Sequence, residues 1–100
     1  MAERIETPEL RDILYDEFMK PMGISAYKLA KDIHVPVSRI QDLLHGRRKM
    51  TADTSLRLAR YFGVSDLYFL NIQNDLDIRA AREEIEKDLA DIVPVSKLSL

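Results

Sequence analysis

The sequence has 100 residues, 46% of them hydrophobic and 32% charged, with no cysteine and a formal net charge of −2. That length suits one domain with a modest core. The lack of cysteine excludes disulfides and thiolate-bound metals, and no apolar run nears the roughly 20 residues of a membrane span.

The acidic total speaks against a nucleic-acid partner, but the charge is unevenly spread. Residues 20–62 carry nine basic and three acidic side chains, net +6, between flanks of −4 each. Phosphate binding depends on local basic density, and only the middle segment supplies it. The opening Met-Ala-Glu-Arg-Ile-Glu has no apolar signal core, so the expected compartment is the cytoplasm.

Hydrophobic spacing is helical along most of the chain. A first helix is expected from Thr7 as N-cap with Pro8 at the first helical position. Leu10, Ile13, Leu14 and Phe18 form its apolar stripe, and Pro21 and Gly23 end it. Ser25 caps a second helix over residues 26–33 with Leu29, Ala30 and Ile33 inward. After a turn at His34 and Val35, Pro36 opens a third helix that buries Ile40, Leu43 and Leu44 and stops at Gly46. Thr51 caps a fourth helix with Leu56, Ala59 and Phe62 as its stripe, ended by Gly63. Ser65 caps a fifth, with Leu67, Phe69 and Leu70 inward, and Asp77 caps a last helix through about residue 89. Residues 92–100 contain Pro94 and read as an extended or mobile tail. The expected fold is all-α: a compact five-helix domain over residues 7–76, and an additional C-terminal helix or tail over 77–100.

Residues 26–45 have the spacing of a helix-turn-helix. Two short helices cross steeply only where the residue at closest approach is small, and Ala30 holds that place. Leu29, Ile33 and Val35 face Ile40 and Leu43 across the gap, which projects the second helix outward toward a groove. His34 falls where such turns often use glycine for a positive φ, a region that histidine tolerates better than most residues.

Subtracting the inward positions leaves Val37, Ser38, Arg39, Gln41, Asp42 and His45 on the outer face of the second helix. Gln41 can bond an adenine edge with both amide atoms, Ser38 can reach a base or a phosphate, and Val37 can touch a thymine methyl. Arg39 suits guanine or phosphate; Asp42 repels phosphate but can accept from cytosine or orient Arg39. Arg47, Arg48 and Lys49 follow at once as three consecutive cations, where the sugar-phosphate backbone would run. Thr51 opens a helix whose first N–H groups can bind a phosphate. Lys28 and Lys31 on the outer face of the first motif helix are weaker candidates for the flanking backbone.

Several segments together carry a family resemblance. They are Thr7-Pro8-Glu9, Leu29-Ala30-Lys31, Val35-Pro36, His45-Gly46-Arg47-Arg48, and the run from Thr51 through Gly63. A last one runs from Tyr68 to Asn74, with Phe69 where the family has tryptophan. With these the chain resembles the Xre/Cro family of phage-repressor-like DNA-binding domains, and within it the HigA-type antitoxins of bacterial addiction modules. The resemblance implies a lambda-repressor-like fold and a homodimer on a palindromic operator of double-stranded DNA. It also implies a cognate toxin of the HigB type, an RNA-cleaving protein that the chain neutralises while repressing their shared operon. Ala26 departs from the family's phosphate-holding glutamine, and His34 from its turn glycine.

The residues support a dimer independently: Leu67, Tyr68, Phe69, Leu70, Ile72 and Leu76 exceed what one helix stripe buries in so small a domain. Two other functions fit the pattern, a stand-alone Xre-type regulator without a toxin and a protein-interaction module that has lost DNA binding. An enzyme is not expected. The two histidines stand eleven positions apart, no paired-carboxylate or glycine-rich arrangement has catalytic spacing, and no cofactor is implied.

Overall fold

A computed structural model describes residues 9–98, and the expected cap at Thr7 and Pro8 lies outside them. The first helix, α1, spans residues 10–22. The Glu9 N–H donates to Asp12 Oδ2 at 2.9 Å and so anchors its start. Its middle, Leu14–Met19, winds as a wider π turn. Pro21, expected to end the helix, is absorbed into its last turn, Lys20–Met22, and Gly23 ends it at φ 66°. The wide turn ends two residues before Pro21, which has no N–H to donate and whose ring crowds the carbonyl one turn back.

Helices α2 (Ala26–Ile33) and α3 (Val37–Leu44) are the two arms of the motif. Helix α4 spans Ala52–Phe62, α5 spans Tyr68–Glu84, α6 spans Glu86–Asp91 and α7 spans Val95–Leu98. No strand occurs among the described residues. Helix α1 packs on α3 and α5, α2 on α3 and α4, and α4 on α5.

The core sits where these helices meet. Leu14, Met19, Leu29, Ile40, Leu58 and Phe69 are fully buried, and Phe69 lies within 5.3 Å of the Phe18 ring and 6.2 Å of Phe62. Complete burial of one such side chain stabilises a fold by about 1.5–3 kcal/mol.

Four expectations fail here, each for a physical reason. Leu56 is 49% exposed, and the inward face of α4 carries Thr54, Ser55, Leu58 and Ala59 instead. The Ser55 hydroxyl can be buried because it donates to the Asp66 carbonyl at 2.8 Å and accepts the Leu70 N–H at 3.2 Å. Leu67 is 57% exposed because it lies in the turn before α5 rather than on that helix's inner face. Asp77 caps nothing: α5 runs unbroken past it, and its carboxylate accepts from Lys49 and Gln73. The tail includes a short helix, α7, where an extended segment was expected.

Beyond Asp77 every residue through Ser96 is exposed. The end of α5 with α6 therefore forms an arm that leaves the core. The Cα radius of gyration is 17.6 Å, against about 13 Å for a compact chain of this size.

Candidate nucleic-acid interface

The motif begins at Ser25, whose Oγ accepts the Lys28 N–H at 3.1 Å. Helix α2 ends at His34 with φ 65° and ψ 48°, the one non-glycine residue with positive φ among those described. The His34 N–H returns to the Lys31 carbonyl at 3.3 Å and the Val35 N–H to that of Ala30 at 3.0 Å. This is the Schellman closure that glycine makes at Gly46 after α3, where the Arg47 N–H reaches the Asp42 carbonyl at 2.8 Å. The expected strained turn is present, and histidine occupies it.

Pro36, extended at φ −63° and ψ 145°, is the N-cap of α3 rather than its first residue. Ala30 is buried, as a close approach of the motif helices requires, and α2 packs on α3. Ser38, Gln41 and His45 are exposed along the outer face of α3. The His45 Nδ1 donates to the Gln41 backbone carbonyl at 2.7 Å, which leaves the Gln41 amide group uncommitted. Val37 is half-buried and packs against the core, so only part of it can meet a base. Leu44, expected inside, is half-buried as well.

The cations that surround α3 are mostly paired with this chain's own aspartates. Arg47 Nε lies 3.0 Å from Asp42, Lys49 Nζ 3.0 Å from Asp77, Lys28 Nζ 2.9 Å from Asp32, and Arg39 Nη1 3.2 Å from Asp53. Asp42 therefore orients Arg47, not Arg39. Arg48 is exposed and has no ion-pair partner among the described residues. Lys28, Arg47 and Lys49 face solvent, where screening leaves an ion pair worth little, so exchanging their aspartates for a phosphate costs little; Arg39 is the least exposed of the four cations.

The titration of these groups follows the same contacts. The Tyr61 hydroxyl, 2.6 Å away, holds the Asp32 carboxyl below its ordinary value, helped by Lys28. A hydrogen bond from Arg57 does the same for Asp53, and one from Lys49 for Asp77. The hydrogen bond to Asp32 raises Lys28, keeping its ammonium charged.

Thr51 caps α4 as expected: its Oγ1 accepts the Thr54 N–H at 3.4 Å. Asp53 stands in that first turn, so a phosphate approaching these N–H groups meets a carboxylate already there. Arg57, which sequence reasoning missed, donates from Nη1 to the Ile33 and His34 carbonyls at 2.9 and 3.3 Å. Its Nε donates to Asp53 at 2.7 Å. The spacing of Asp53 and Arg57 by four residues was the available signal. The Gln73 side chain, also missed, accepts the Met50 N–H at 3.1 Å and secures the end of the basic loop.

Two short helices joined by a left-handed turn and followed by a cationic loop define a helix-turn-helix protein. Residues 17–69 match the helix-turn-helix family, and the chain belongs to it. Virulence-associated protein I of Dichelobacter nodosus is 44% identical over 97 residues, 95% of this chain and 89% of that one. An addiction module antidote protein of the HigA family from Coxiella burnetii has a similar structure. It superposes with a TM-score of 0.80 at 34% identity, covering 90% of this chain and 99% of its own. Pseudomonas aeruginosa antitoxin HigA, solved with the higBA promoter, gives 0.81 at 29% identity and coverages of 89% and 98%. Both of these structural neighbours are HigA-type antitoxins.

Proposed function

We propose that the chain is a sequence-specific DNA-binding antitoxin. It reads a palindromic operator in its own promoter as a homodimer and neutralises an RNA-cleaving toxin made from the same operon. The observation that carries this reading is the outer face of α3, where Ser38 and Gln41 stand exposed beside the Arg47–Lys49 loop. The HigA neighbour solved with its promoter supports it. Gln41 and Ser38 read base edges, Arg39 and His45 supply further contacts, Arg47, Arg48 and Lys49 grip the backbone, and Lys28 and the Thr51 turn flank it.

Dimerisation is assigned to the arm. The apolar residues that sequence reasoning placed at the interface are largely covered within the chain: Phe69 is buried, and Tyr68, Leu70, Ile72 and Leu76 pack on the core. Of that set Leu67 alone is exposed, whereas the arm carries a run of exposed apolar side chains at Ile78, Ile85, Leu89 and Ile92. A two-fold pairing of arms would cover them, and it must set two α3 helices one DNA turn apart, about 34 Å.

A mobility-shift titration of the purified protein on its own upstream DNA, run across a salt series, tests the reading. Saturable binding that weakens steeply with salt is expected; no shift, or a shift indifferent to salt, refutes it. Co-purification with the product of an adjacent gene tests the toxin. A DNA binder that captures none is a stand-alone regulator, and a chain that captures protein without DNA is an interaction module.

A further inference from the structure

One oxygen joins three parts of the motif. Asp53 Oδ1, in the first turn of α4, accepts Arg39 Nη1 at 3.2 Å from α3 and Arg57 Nε at 2.7 Å from its own helix. Arg57 then clasps the last carbonyls of α2 at Ile33 and His34. These are carbonyls that a helix end leaves without an internal partner, and a cation is favoured there. The left-handed residue they flank is a histidine, with no glycine freedom to absorb strain. Arg39 is the one cation of α3, in its first turn, and it is only partly exposed.

We propose that Asp53 is a specificity-determining positioning residue. It holds Arg39 against the body of the domain and, through Arg57, fixes the turn from which α3 projects. Arg39 then leaves its carboxylate only for DNA whose groove brings an acceptor into register. On mismatched DNA the carboxylate keeps Arg39 and also repels the nearby phosphates. The inference rests on the proposed DNA binding, and it concerns discrimination rather than affinity.

The test compares two duplexes of equal length. One is the sequence most enriched when the wild-type protein is selected against a random duplex library; the other is its scrambled counterpart. In Asp53→Asn the scrambled duplex should bind roughly threefold tighter or more, with a steeper salt slope, since one cation is released. The ratio of the two affinities should fall roughly tenfold, within the discrimination one well-held base contact provides. In an Arg39→Gln background the same Asp53→Asn change should leave the ratio unmoved, because its intermediary is gone. A ratio unchanged in the single variant, or falling equally in both backgrounds, overturns the proposal. If Asp53→Asn melts early, Asp53→Glu keeps the charge and displaces the oxygen. It should lower the ratio without steepening the salt slope, and an unchanged ratio there also overturns the idea. A wild type that enriches no sequence refutes DNA reading itself, a failure distinct from either of these.

Discussion

Replacing Ser55 by alanine should cost this domain far more than the loss of one oxygen atom suggests. Helix α5 begins at Tyr68, and its N-cap residue, Leu67, has no side chain able to cap it. Ser55 does that work from the neighbouring helix, accepting the Leu70 N–H at 3.2 Å while donating to the Asp66 carbonyl at 2.8 Å. Loss of a helix cap costs about 1 kcal/mol. The Asp66 carbonyl, part-buried at this contact, loses its donor, which costs about 1–2 kcal/mol more. The two together come to about 2–3 kcal/mol, with almost no cavity to add. For a domain of this size that lowers the melting temperature by about 10–20 °C. Urea unfolding followed by helical circular dichroism should show a lower midpoint and an unchanged slope. The exposed neighbour is the control, since Leu56→Ala should stay within about 0.5 kcal/mol of wild type. A Ser55→Ala loss no larger than that of Leu56→Ala would refute the reasoning, because water would then be replacing the hydroxyl at both groups.

Gln41→Ala should relax base preference at one operator position and cost about 1–3 kcal/mol of binding; a selection experiment returning the wild-type preference would remove Gln41 from the readout. Arg47→Ala should weaken binding to every sequence and flatten the salt slope, all the more because it leaves the Asp42 carboxylate facing the backbone alone. A loss confined to one sequence would instead make Arg47 a base reader. Asp32, Asp53 and Asp77 all titrate below their ordinary value in the fold. Their contribution to stability is therefore present above about pH 4 and is lost as pH falls through the depressed values. A variant with all three changed to asparagine should be less stable at pH 7 and lose less between pH 5 and pH 2. Parallel urea midpoints for variant and wild type over that range would contradict the assignment.

The motif was legible because its determinants are local. Ser25, Ala30 and Gly46 each act through the backbone within a few residues, and the sequence shows them directly. His34 was readable for the same reason, since a left-handed residue is fixed by the helix end that precedes it. Helix α4 was misread where polarity and burial part company. Leu56 looks like core and Ser55 like surface until the carbonyl of Asp66 arrives from another element. Likewise, nothing near Arg39 in the chain reveals Asp53, fourteen residues away. Side chains that could read DNA were thus visible as residue types. Which of them the protein already engages with its own acids was not, because those partners come from different helices.

Helix α5 joins two regions of very different character without a break. Phe69 locks one end into the core, and Asp77, one side of a contact to Lys49, ties its middle to the basic loop. The far end carries only exposed residues. Seventeen helical residues make a stiff rod of about 25 Å. Whatever seats on the arm is therefore held at a set distance and angle from α3, like a caliper whose jaw opening is machined rather than adjustable. On the proposed pairing of arms, the spacing at which two such molecules would engage one duplex is then written in the number of residues between Phe69 and the arm.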